Sequence, residues 1–220
     1  ATPTVDKLMR LTRLALACIC SATFTVGTMA QANDLALVPS AQKQPLADLL
    51  IEWMQVHYPA APSEGYVLYV SVKSQRMYFV VEGQMKAEYV ISTATNGLGT
   101  QKSSNRTPEG LHRVVSKFGE GVPSFGIFKG RQYTGKIATD STANDDLITS
   151  RILWLDGMEP GLNEGGSVDS MERGIYIHGT ADEGSIGTPS SHGCIRMRNS
   201  DVIALFDRVL IGTLVVILDN

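Results

Sequence analysis

The sequence predicts a mostly β domain with one or two helices, preceded by a short N-terminal helix. Three observations predict it. From Gly65 onward, short runs rich in β-branched and aromatic residues alternate with turn residues. Helical periodicity is confined to two segments. The 220 residues are 43% hydrophobic and 19% charged, a globular composition that suits one domain plus an extension.

The elements follow in order. Residues 33–44 read as an irregular polar lead-in. From Pro45 to Tyr58, Leu46, Leu49, Leu50, Trp53, Met54 and Val56 recur at helical spacing, framed by Pro45 in the first turn and Pro59 after the end. Val67–Val72, Met77–Val81 and Ala87–Ser92 form a β-meander whose turns are Ser74-Gln75-Arg76 and Glu82-Gly83-Gln84. Thr93 to Pro108 reads as a long loop. Further strands are expected at Gly110–Ser116, Gly126–Phe128, Ile148–Leu155 and Ile175–Thr180. Asp156 to Gly174, Gly-rich and acidic, has the length of a functional lid or a disordered segment. Asn199-Ser200 can cap a helix whose apolar face is Val202, Ile203, Leu205, Phe206, Val209 and Leu210. Thr213–Leu218 is an apolar, β-branched last strand. The expected organisation is 1–32 as a signal peptide, 33–62 as an extension with an amphipathic helix, and 63–220 as the catalytic domain.

The first 32 residues read as an export signal. Lys7, Arg10 and Arg13 precede an apolar run from Leu14 to about Met29, which ends in Ala30-Gln31-Ala32, an A-x-A cleavage pattern. A membrane anchor needs ~20 predominantly apolar residues, and Ser21, Thr23, Thr25, Gly27 and Thr28 thin the run. A lipid anchor on Cys18 or Cys20 lacks the residues expected before it. Removing this segment, with its three basic residues and one acid, takes the net charge from −3 to −5. It also removes Cys18 and Cys20 and leaves Cys194 alone in a compartment that favours disulfides. The expected location is the periplasm or another extracytoplasmic part of the envelope. No Lys/Arg run has the length of a nucleic-acid footprint, so that partner class is set aside.

Two segments carry chemistry. Ile175-Tyr176-Ile177-His178-Gly179-Thr180 is a strand running into a glycine turn, and Ser190-Ser191-His192-Gly193-Cys194-Ile195-Arg196-Met197 holds the thiol. A thiol needs a base to become a nucleophile, and the base needs a third group to fix its tautomer. His178 comes from a separate segment and can face the thiol independently. His192 shares a backbone segment with Cys194. Gly193 permits a close backbone approach, so N–H groups around His192, Gly193 and Cys194 can converge on one oxygen as an oxyanion hole. Arg196 is a natural carboxylate clamp, with Ser191 placed beside it to contact substrate.

Each feature also has a plainer reading. A histidine at a strand end is more often structural, an arginine more often an ordinary ion-pair partner, and a lone cysteine often inert and buried. Zinc is a further option, since His112, His178, His192 and Cys194 are N/S donors. His178 and His192 lack compact ligand spacing, however, and the expected site holds no metal and needs no cofactor.

His178-Gly179-Thr180 followed by Ser191-His192-Gly193-Cys194-Ile195-Arg196-Met197 closely resembles the signature of L,D-transpeptidases of the YkuD type. Leu68–Thr93 is similar to that family's opening meander, Thr107-Pro108-Glu109-Gly110 to its T-P-x-G turn, and the Asp201–Leu210 helix and last strand to its C-terminal part. The resemblance implies a β-sandwich-like catalytic domain. It implies that Cys194 attacks a peptidoglycan stem peptide at its third residue and expels the terminal D-alanine. The acyl group then passes to an amine, on another stem or on an envelope protein. His178 would be base and acid, oriented by the Gly179 carbonyl, with the N–H groups of His192, Gly193 and Cys194 as oxyanion donors and Asp156–Gly174 as lid. Two rivals stay open: a hydrolase on the same scaffold (an L,D-carboxypeptidase, or an enzyme releasing wall-linked protein), and a catalytically inactive wall-binding protein.

Overall fold

The computed structural model describes residues 40–62, 65–139 and 146–220, with side chains from residue 44 onward. Residues 1–32, expected as an export signal, lie outside the described residues. Among those described there are ten strands and two α-helices: α1 Ser40–His57, β1 Tyr66–Ser71, β2 Arg76–Val81, β3 Gln84–Ser92, β4 Gly110–Phe118, β5 Gly126–Lys129, β6 Gln132–Ile137, β7 Ile148–Gly157, β8 Tyr176–Thr180, β9 Ile195–Met197, α2 Asn199–Arg208 and β10 Leu214–Leu218. No helix among the described residues is long and apolar enough to cross a membrane.

The strands follow one ladder in the order β4-β10-β1-β2-β3-β9-β8-β7, and β4 pairs again with β7, so eight strands close into a ring. The β5–β6 hairpin branches from β7. Opposed arcs of the ring pack on one another in a sandwich-like way. Leu68, Val70, Phe79 and Ile91 from one arc share a core with Leu153, Leu155, Ile177 and Ile195 from the other. This is the mostly β class expected of the sequence.

β1 shows why its run is apolar without a break. It lies between β10, parallel, and β2, antiparallel, and is buried on both faces. Leu68 and Val70 point into the ring, while Val67 and Tyr69 point outward into a second core with Ala47, Leu50 and Met54 of α1. That contact corrects the expected helix face, because Leu49 and Val56 are exposed. The helix also starts at Ser40, with Pro45 inside it rather than at its start.

The C-terminal helix supplies a second correction. Asn199 does not cap α2. Its backbone N–H donates to the Glu183 carboxylate at 2.7 Å, so an acid from the preceding loop meets the helix N-terminus, where negative charge is favoured. The buried Asn199 side chain instead bridges strands. Its Oδ1 accepts from Thr149 Oγ1 at 2.6 Å and Ser150 Oγ at 2.5 Å, and its Nδ2 donates to the Thr180 carbonyl at 2.7 Å. This knot locks β7 to the end of β8.

The segment expected as a lid or a disordered stretch is tied into the framework. β7 already includes Asp156 and Gly157. Beyond it, Asn163 and Ser170 are fully buried. Asn163 Nδ2 donates to the carbonyls of Glu109 (2.9 Å) and Leu111 (3.1 Å), and its Oδ1 accepts from the Glu159 N–H (2.9 Å). Removing these partners leaves buried backbone groups unsatisfied. Asn163→Ala is therefore expected to lose about 3 kcal/mol of stability and to melt roughly 6–12 °C lower. A thermal melt checks this; an unchanged melting temperature with reduced turnover would restore the mobile cover.

Candidate active site

β8 and β9 are parallel neighbours, with Ile177 opposite Ile195 and His178 opposite Arg196. Successive side chains alternate between faces. Ile177 and Ile195 enter the ring core, so His178 and Arg196 take the other face. Extending the register by one residue sets Cys194 opposite Tyr176 on that same face. The contacts agree: Cys194 Sγ accepts from the Tyr176 N–H and donates to the Gly174 carbonyl, both at 3.4 Å. His178 and Cys194 thus stand diagonally on one face of two adjacent strands.

His178 is 2% exposed. Its Nδ1 lies 2.7 Å from the carbonyl of Gly179, which fixes Nδ1 as the protonated nitrogen and leaves Nε2 the basic lone pair. Burial pushes the imidazole down to about 4 against the Gly179 bond, which favours protonation. The ring is therefore neutral at neutral pH and competent as a base. Gly179 must be glycine: a Cβ there would stand 2.6 Å from Asn199 Oδ1 and 2.8 Å from the Thr149 carbonyl.

Burial likewise pushes the Cys194 thiol up to about 11; the Tyr176 N–H, Arg196 and Arg173 favour the thiolate, and Asp146 opposes it. The resting pair is a neutral thiol and a neutral imidazole. Tyr176, Ile152 and Phe128 form the apolar wall against which Cys194 packs.

The turn before Cys194 is held from behind by residues 93–107. The N–H groups of Ser190 and Ser191 donate to the Thr93 carbonyl, and Gly193, at φ 135°, approaches the Arg106 carbonyl so closely that a Cβ would lie 3.3 Å from it. Ser191, 2% exposed, donates from Oγ to the Cys194 carbonyl at 2.6 Å and accepts from the Gly193 N–H at 3.2 Å. Among the three amides expected to face an oxyanion, that of Gly193 is thus already engaged. The N–H groups of His192 and Cys194 have no protein acceptor among the described residues.

Arg196 is 4% exposed and reaches Asp146 with Nη2. His192, exposed, meets the other oxygen of the same carboxylate through Nδ1. Both Ser191 and Arg196, expected at the substrate, face protein partners. His112 is remote from this face, fully buried between the Gly110 carbonyl and Ser170 Oγ, both at 3.0 Å. The four donors weighed for zinc do not converge, and no metal-holding group of His, Cys, Asp or Glu occurs among the described residues.

Two further residues were missed from sequence. Asp146 joins His192 and Arg196 from some fifty residues upstream, out of a polar stretch in which nothing sets it apart. Arg173 donates to the carbonyls of Gly99 (3.3 Å) and Arg106 (2.6 Å) and places positive charge near Cys194.

The family model for the L,D-transpeptidase catalytic domain, YkuD, matches residues 65–217. YqjB of Bacillus subtilis, whose name places it with the L,D-transpeptidases, is 27% identical over 160 residues, covering 72% of this chain and 74% of YqjB. YkuD of the same organism is 40% identical over 84 residues, 38% of this chain and 48% of that protein. Among solved structures, L,D-transpeptidase 3 from Mycobacterium tuberculosis aligns with 70% of this chain at 16% identity and a TM-score of 0.46. LdtMt1 in complex with imipenem aligns likewise at 16% identity and a TM-score of 0.44. The chain spans 61% and 59% of those two structures.

Proposed function

The chain belongs to the L,D-transpeptidase catalytic-domain family, and from that premise we propose that it forms an acyl-enzyme on Cys194 from a peptidoglycan tetrapeptide stem and passes the acyl group to an amine. The observation that carries this reading is the shared face of β8 and β9. It sets a neutral His178, its Nδ1 committed to Gly179, beside the Cys194 thiol.

In the forward step the thiol proton moves to His178 Nε2 as sulfur bonds to the carbonyl carbon of the third stem residue. The His192 and Cys194 N–H groups stabilise the oxygen that becomes negative. Collapse breaks the bond to D-alanine, whose nitrogen takes the proton back from His178. An acceptor amine then attacks the thioester, His178 again removing a proton, and the thiol is restored. Ser191 and Arg196 shape the turn that carries the nucleophile.

We place the reaction outside the cytoplasm on the strength of residues 1–32, and expect envelope-recovered protein to begin at Asn33. That protein, incubated with disaccharide-tetrapeptide, is expected to release D-alanine and form a cross-linked dimer, read by mass spectrometry. Tripeptide alone would assign a hydrolase, and unreacted substrate would leave a wall-binding protein.

A further inference from the structure

We propose that Asp146 is a positioning residue for Cys194 chemistry: its carboxylate ties Arg196 to His192 and so holds the turn that carries the thiol in register with β8. Asp146 arrives from a third segment, the lead-in to β7. It lies two residues before Ile148, where β7 begins and pairs with Thr180 and Gly179. One oxygen meets Arg196 Nη2 and the other His192 Nδ1. A single carboxylate thereby spans the turn, touching the residue two before and the residue two after Cys194.

The need for this carboxylate follows from burial. Arg196 is a guanidinium almost wholly out of water, and its buried Nε has no acceptor among the described residues. A buried charge without a partner is strongly unfavourable, so Asp146 supplies the counter-charge. His192, exposed on the surface, would otherwise turn freely. Fixing its ring steadies the backbone of the residue proposed as an oxyanion donor.

The same carboxylate sets the charge around the thiol. Asp146 faces His192, Arg196 and, at longer range, His178. Burial works to raise its carboxyl, yet the His192 bond and the Arg196 charge outweigh that and hold it below the usual range. Cys194 is under the influence of Asp146, which opposes thiolate, and of Arg196 and Arg173, which favour it. Neutralising Asp146 without moving it leaves Arg196 unopposed.

Two substitutions test the proposal. Asp146→Asn keeps an acceptor for Arg196 and removes the charge; Asp146→Ala removes both. The pH profile of Cys194 alkylation by iodoacetamide is expected to move to lower pH in Asp146→Asn, by about one unit. A purely structural residue would not move that profile in a folded variant. With tetrapeptide substrate, Asp146→Ala is expected to lower kcat by ten- to a hundredfold with little change in KM, and Asp146→Asn by less. An Asp146→Asn profile coincident with wild type overturns the proposal, as does wild-type kcat in Asp146→Ala. If Asp146→Ala does not fold, the Asn profile decides. The kcat arm rests on the reading of Cys194 as nucleophile. The alkylation arm needs only the thiol, so wild type inert toward tetrapeptide would sink that reading while the alkylation profile still judges Asp146.

Discussion

A carbapenem is expected to add one intact drug mass to wild-type protein, and Cys194→Ala is expected to abolish the adduct. The step balances without a leaving group. Sulfur bonds to the β-lactam carbonyl, the ring C–N bond breaks, the ring nitrogen takes the thiol proton through His178, and the whole drug stays on as a thioester. Cys194 is the free thiol of the described residues. Burial holds it protonated, with Sγ–H turned to the Gly174 carbonyl. Acylation therefore depends on a reagent that docks its carbonyl between the thiol and the His192 and Cys194 amides, which have no acceptor among the described residues. Intact-mass spectrometry reads the result. An unmodified wild type after long incubation, or an adduct that survives Cys194→Ala, overturns the assignment of the nucleophile.

His178→Ala is expected to slow that acylation by ~10²–10⁴ and to change its pH dependence. In wild type His178 is neutral above about 4 and protonated below it, so the rate is expected to fall as the pH drops through that value. Between there and about 11 both thiol and imidazole are neutral, and the rate is expected to be flat. Without His178 the thiol must ionise unaided, and the rate is expected to climb tenfold per pH unit toward about 11. His192→Ala is expected to be slower than wild type yet keep the flat region, because His192 faces Asp146 rather than the sulfur. Carbapenem acylation rates across pH for the three proteins check this. A flat profile in His178→Ala, with the climb in His192→Ala, would reverse the two roles.

Much of the fold was legible because its strands are buried on one or both faces, and burial writes itself into composition. β1, β2 and β10 are nearly unbroken apolar runs rich in β-branched and aromatic residues, and α2 presents one apolar face. β6 was missed because all six of its residues are exposed and nothing apolar marks it. β9 was missed because three residues are too short to show a period. The Asp156–Gly174 segment read as a lid because what pins it, Asn163 and Ser170 against Glu109, Leu111 and His112, is polar and distant in sequence. The site divides in the same way. Cys194, His178 and Gly179 lie in two short motifs sixteen residues apart, whereas Asp146 and Arg173 reach the site only through tertiary pairing.

The closed ring also governs when a site can exist during folding. β10 lies between β1 and β4, with Val67 opposite Leu214 and Gly110 opposite Ile217. Such long-range pairing is slow, since the loop-closure entropy must be met before the contacts that reward it can form. A chain that has emerged only as far as Cys194 has its thiol but not its ring. It leaves β1 and β4 with open edges, ready to pair with other chains. Synthesis as far as Cys194 therefore does not complete the framework around the thiol, and pairing of the last strand closes it.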